Sequence, residues 1–125
     1  MSDYDALKLE NQLCFPLYAC AKEITRRYKP FLDRIGLTYT QYITMMVLWE
    51  KGELSVKELG ESLYLDSGTL TPLLKRLEQK GLLTRKRSER DERSLEVRIT
   101  KEGTKLRDLA LTIPRDMGDC IKLTR

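Results

Sequence analysis

The hydrophobic period of this chain changes once, and the place where it changes constrains the fold more than any other feature. Up to Gly81 the apolar residues recur every three or four positions, as one face of a helix requires; beyond it Leu95, Val97 and Ile99 alternate with Glu96 and Arg98, as on a half-buried strand. The stretch 82–87 supplies a pairing strand, and the polar run 88–93 supplies the turn between the two. Two short helices precede this ribbon. Ser55-Val56-Lys57-Glu58 is a capping box, in which Ser55 and Glu58 each satisfy an orphan amide, and the helix it opens carries Val56, Leu59 and Leu63 inward. A second helix starts at Asp66-Ser67-Gly68-Thr69, with Asp66 or Ser67 as its cap, and buries Leu70, Leu73, Leu74 and Leu77 before Gly81.

The flanks are helical. Thr38 opens a helix with Tyr39, Tyr42, Ile43, Met46 and Val47 on one face and Gly52 past its end. Ahead of it the spacing predicts one long helix over 7–31, carrying Leu9, Leu13, Leu17, Cys20 and Ile24, before Gly36 ends the region. Pro16 marks either a kink in that helix or a helix start near Cys14. A last helix after Thr100 carries Leu106, Leu109, Ala110, Ile113 and Met117, with Pro114 as an interruption.

Composition excludes much. A chain of 125 residues holds one domain and gains from burying its ends against a second copy. There is no apolar run of membrane-spanning length and no signal-peptide pattern behind the acidic Asp3-Tyr4-Asp5, so the expected compartment is the cytoplasm. With no histidine and no CxxC, neither a metal site nor a cofactor is expected, and hydrolase chemistry lacks its usual base; the chain does not read as an enzyme. The net charge of +4 is concentrated: residues 75–98 hold nine basic side chains against five acidic ones. That is the placement a polyanion-binding surface needs.

Helix, short turn, helix and basic ribbon make a winged helix-turn-helix, mainly α with a small β-wing. Its second helix enters a major groove, and the positions predicted to face outward are Ser67, Thr69, Thr71, Pro72, Lys75 and Arg76. Arginine can grip guanine O6 and N7 in a fork, and threonine methyls can meet thymine methyls. The predicted partner is double-stranded DNA.

Three segments then carry a family resemblance. Residues 65–78, read Leu65-Asp66-Ser67-Gly68-Thr69-Leu70-Thr71-Pro72 onward to Glu78, resemble the recognition helix of MarR-family regulators, and 85–94, from Arg85-Lys86-Arg87 to Arg93-Ser94, resemble their wing. Leu9-Glu10-Asn11-Gln12-Leu13-Cys14-Phe15 is similar to the first helix of the organic-hydroperoxide-sensing branch, the OhrR-like regulators. The resemblance implies one MarR-type domain over 1–125, a DNA-binding core at about 38–100, and N- and C-terminal helices (6–35 and 101–125) that form a homodimer. Members of the family usually continue into a further long helix, whereas this sequence stops at Arg125.

It also implies roles. Cys14 is the peroxide-reactive residue; Tyr28 and Tyr39 of the partner subunit donate their hydroxyls to its thiolate, and Tyr18 lines the same pocket. Oxidation gives a reversible sulfenic acid, and the protein, expected to be a repressor, leaves an inverted-repeat operator. Cys120 falls where two-cysteine members carry a resolving thiol; failing that, a low-molecular-weight thiol caps Cys14. Cys20 lies six residues from Cys14, about 240° around a helix, and is read as inert. In the wing, Arg85 and Lys86 contact DNA, and Asp91 orients Arg93 into the minor groove. The competing reading is a MarR-type regulator governed by a small aromatic ligand, with Cys14 not a sensor.

Overall fold

Proline decides where the N-terminal segment breaks. In the computed structural model, which describes residues 3–89 and 94–121, two short 3-10 helices (Asp3–Leu7 and Leu9–Asn11) lead into α1 (Cys14–Arg27). Pro16 is the third residue of α1, in a first turn whose amides have no intrahelical acceptor anyway, so Cys14 is a helix start and not a kink. Pro30 acts differently. It removes the donor that would reach the Arg26 carbonyl; α1 stops at Arg27, Tyr28 N–H bonds back to Thr25 at 3.2 Å, and α2 (Lys29–Asp33) begins separately. The continuous helix expected over 7–31 is therefore broken, and no residue of α1 is buried: Leu13 ahead of it is 80% exposed and Leu17 65%.

From Thr38 onward the expected elements form. α3 (Tyr39–Lys51) starts on a full capping box, with Gln41 N–H donating to Thr38 Oγ1 at 3.3 Å and Thr38 N–H to Gln41 Oε1 at 3.0 Å. It ends at Gly52, whose φ of 76° a side chain would resist. α4 (Val56–Leu63) has the predicted Ser55–Glu58 box, and α5 (Ser67–Gln79) is capped by Asp66, which accepts from Thr69 N–H at 2.8 Å. Lys80, just past α5, donates to the Gly36 carbonyl and to Gln41 Oε1, tying the end of α5 to the start of α3.

The ribbon is a three-stranded antiparallel sheet rather than a two-stranded one. β2 (Leu83–Arg87) and β3 (Leu95–Ile99) pair as expected, and β1 (Glu53–Ser55) adds on the other side of β3, with Leu54 opposite Val97. Three residues are too few for alternation to register as a strand. Met45 and Leu48 of α3, Leu59 of α4, Leu70, Leu74 and Leu77 of α5 and Val97 of β3 make a core that excludes water almost completely.

Past the sheet, Thr100 caps α6 (Lys101–Ala110) by accepting from Gly103 N–H at 3.1 Å. Only glycine fits at 103: a Cβ there would lie 2.3 Å from the Leu82 carbonyl oxygen. Trp49 of α3 is half-buried and donates Nε1–H to the Gly103 carbonyl at 2.8 Å. The last helix is two: the chain turns at residues 111–112, ahead of Pro114, and α7 (Ile113–Ile121) follows, held to α2 by an Arg34–Asp116 ion pair of 3.1 Å. Among the described residues no helix is long and apolar enough to cross a membrane.

Candidate nucleic-acid interface and thiol site

α5 is set at an angle fixed by its leucines, and that leaves its other face to solvent. Ser67, Thr69, Thr71, Pro72, Lys75 and Arg76 are all exposed, as the 3.6-residue period requires once Leu70, Leu73, Leu74 and Leu77 point inward. Thr71 Oγ1 donates to the Ser67 carbonyl at 2.8 Å, so its methyl is the part turned outward from its own helix. Lys75 and Arg76 form none of the ion pairs found among the described residues. Two cations one turn beyond a row of small side chains can approach a groove closely and still reach base edges or phosphates.

The wing is joined to this helix by a contact that the sequence did not suggest. Glu78, near the end of α5, accepts from the Arg85 backbone N–H at 3.1 Å and from its guanidinium at 3.0 and 3.3 Å. Hydrogen bonds from the Arg85 guanidinium, and then from its backbone N–H, hold the Glu78 carboxyl below its ordinary range, against a smaller opposing effect of burial. Arg85, predicted as a DNA contact, thus has its guanidinium turned back onto the protein, where it locks the root of the wing to α5. Lys86, one residue on, is exposed, and pairs in register with Glu96. Asp91 and Arg93 lie outside the described residues. Opposing charges knit the sheet together, with Arg98 and Glu53 3.0 Å apart on β3 and β1.

The thiol and the tyrosines predicted to serve it lie apart. Cys14 is the first residue of α1, exposed, with its sulfur at the electropositive end of that helix. Tyr18, one turn on, is also exposed and stacks obliquely with Phe15 at 6.4 Å, with Lys22 Nζ 5.7 Å from its ring centre. Tyr28 follows the far end of α1, roughly 20 Å along the axis from Cys14 at 1.5 Å per residue. There Tyr28 and Tyr39 do come together, their ring centres 5.0 Å apart.

A third ring, Tyr42, joins them 5.8 Å from Tyr28 and is itself packed against Trp49 at 6.3 Å. Desolvation, and then the neighbouring phenols, push the Tyr28 and Tyr42 hydroxyls to higher pKa, so both stay protonated donors. Tyr42 is only 3% exposed, and its spacing from Tyr39 had marked it as a core position without revealing the cluster. Cys20 is exposed on α1, and the Cys120 side chain lies outside the described residues.

Comparison with known proteins places this geometry among regulators. Residues 26–109 match the family model described as transcriptional regulator SarA/Rot. An organic hydroperoxide resistance transcriptional regulator of Bacillus subtilis is 58% identical over 111 residues, covering 89% of this chain and 76% of that one. The HTH-type transcriptional regulator SarZ of Staphylococcus epidermidis is 42% identical over 117 residues, 94% of this chain and 79% of its own. Among solved structures, reduced AbfR bound to DNA, from Staphylococcus epidermidis, superimposes with a TM-score of 0.80 at 34% identity, over 92% of this chain and 80% of that one.

Proposed function

Since this chain belongs to the MarR-type winged-helix transcription regulators, in their organic-hydroperoxide-sensing branch, we propose that it is a homodimeric, cytoplasmic repressor that leaves an inverted-repeat operator when Cys14 is oxidised. One observation carries the reading: α1 presents a reactive residue type on a helix that buries nothing in its own chain, about 20 Å from the phenols suited to serve it. A second copy running antiparallel along α1 brings Cys14 of one subunit to Tyr28 and Tyr39 of the other. The same packing covers Leu13 and Leu17.

In this pocket the hydroxyls of the partner subunit's Tyr28 and the partner subunit's Tyr39 donate hydrogen bonds to the Cys14 thiolate, the nucleophilic form. The sulfur attacks the outer peroxide oxygen; the S–O bond forms as O–O breaks, and the departing alkoxide takes a proton and leaves as an alcohol. The product sulfenic acid is condensed by a second thiol, which forms S–S and releases water. The partner subunit's Cys120 is the proposed resolving thiol, with capping by a small thiol as the other route. Losing the phenol contacts at a two-subunit pocket alters the spacing of the two α5 helices, and with it the fit to two half-sites about one helical turn apart.

On DNA, Ser67, Thr69, Thr71 and Pro72 approach base edges, while Lys75, Arg76 and Lys86 neutralise phosphates or grip guanine, and Asp91 with Arg93 forms the minor-groove tip. The aromatic-ligand reading is weaker. The cleft between Tyr42, Trp49 and Arg107 offers about 190 Å³, below the roughly 300 Å³ at which small-molecule pockets begin.

The test is DNA retardation on an inverted-repeat duplex before and after an organic hydroperoxide. Wild type should release, and Cys14→Ser should bind as before and stay bound. Release of Cys14→Ser by the peroxide would sink the sensor assignment. On a non-reducing gel the oxidised wild type should run as a crosslinked dimer that Cys120→Ser abolishes.

A further inference from the structure

The turn between α4 and α5 holds Tyr64 in a left-handed conformation, φ 56° and ψ 40°, the single positive-φ residue other than glycine among the described ones. In that region the Cβ of an L residue crowds its own carbonyl, and glycine or asparagine would sit there with less strain. The backbone leaves Tyr64 no choice. Its N–H and that of Leu65 both converge on the Gly60 carbonyl, and the Leu65 carbonyl approaches Gly60 so closely that a Cβ on Gly60 would lie 2.9 Å from it. Yet the ring gains nothing by packing, being 94% exposed. An apolar ring displayed on a rigid, strained turn serves neither the core nor the helix end.

Its neighbours say what it faces. Tyr64 borders a cleft between α4 and α5 together with Lys57 and Ser67, so it is continuous with the exposed face of α5. The Asp66 carboxylate in the same cleft is engaged by Thr69 N–H, and Glu61 also lines the cleft.

Resting on the DNA-binding reading above, we propose that Tyr64 is a DNA-backbone contact: its ring packs on a deoxyribose flanking the major groove that receives α5, and its hydroxyl donates to a phosphate. Such a contact fixes register and carries no sequence information. Because the phenol is neutral, it displaces no counterion.

Three properties can be measured on Tyr64→Gly and Tyr64→Phe in the full chain: melting temperature, affinity for a random-sequence duplex, and affinity for a duplex selected on wild-type protein from a random library. Tyr64→Gly should melt at or above the wild-type temperature and bind both duplexes about tenfold more weakly, with an unchanged salt slope. Tyr64→Phe keeps the ring and loses one hydrogen bond, so about threefold is expected. Equal binding by Tyr64→Gly and wild type would overturn the proposal. So would a loss confined to the selected duplex, a lower melting temperature accompanying the loss, or a changed oligomeric state with DNA affinity intact. Wild type that bound neither duplex would take down the DNA-binding reading as well, whereas unaffected variants of a binding wild type take down this one alone.

Discussion

α1 and α5 are helices of similar length, 14 and 13 residues, with opposite relations to their own chain. α5 buries four leucines and shows solvent mainly its small and cationic face; α1 buries nothing and shows solvent Phe15, Leu17, Tyr18 and two thiols. The difference separates a module complete within one chain from the surface that the proposed dimer would cover. It also suits a regulator that moves without unfolding: the leucine core resists deformation, while α1 touches its own chain mainly at α2 and α7 and buries no side chain there.

The sharpest way to break this comparison is to truncate one leucine on each side. Leu59→Ala, in the closed core, should lower stability by about 2–5 kcal/mol at any protein concentration, read by urea denaturation. Leu17→Ala should cost well under 1 kcal/mol within a chain and instead weaken the dimer by sedimentation. Equal losses of chain stability would mean that α1 packs on its own subunit after all.

On the α5 side, Arg76→Ala should weaken operator binding by about 1–3 kcal/mol and relax base preference at one position of each half-site, whereas Lys86→Ala should weaken all sequences alike and lower the salt slope. Operator and random DNA losing equally with Arg76→Ala would remove its base-reading role. On the α1 side, Tyr28→Phe and Tyr39→Phe should each slow thiol alkylation near neutral pH, by removing one donor to the Cys14 thiolate and little volume, with reduced-state DNA binding retained. An unchanged rate against pH in both variants would leave the tyrosines no part in the pocket.

The smallest effect concerns the Glu78–Arg85 lock. The folded Glu78 carboxyl titrates below its unfolded value, so its contribution is present above about pH 4.3, the ordinary glutamate range, and fades as pH falls through the folded value. The pair is partly solvated, so the loss should be under about 1 kcal/mol. Glu78→Gln should flatten that acid limb of the stability curve, and an identical limb in the variant would show that the lock contributes nothing.

What was legible in the sequence follows from local chemistry. The Thr38, Ser55 and Asp66 caps, the leucine period of α5 and the alternation of β3 are short-range patterns, and each appears where it was expected. Cys14, Tyr28 and Tyr39 were singled out through resemblance, and the exposed face of α5 through periodicity. The misses are of a different kind. Arg85 carried the right charge for DNA, but its proximity to Glu78 arises from folding β2 back along α5. Pro30 broke the first helix, although Pro16 had attracted attention, because a proline matters only where the ladder already needs its amide.

The sequence by itself determined α3, α4, α5, β2 and β3, where the positive charge collects and which face of α5 is left bare, because capping, periodicity and charge act over a few residues. The tertiary structure alone decided that β1 joins the sheet, that Tyr42 closes the ring cluster, that Tyr64 is held out on a strained turn, and that the stripe of α1 faces away from the core. Each of those depends on which surfaces meet. Pairing and burial are settled between residues distant in sequence, and no local pattern records them.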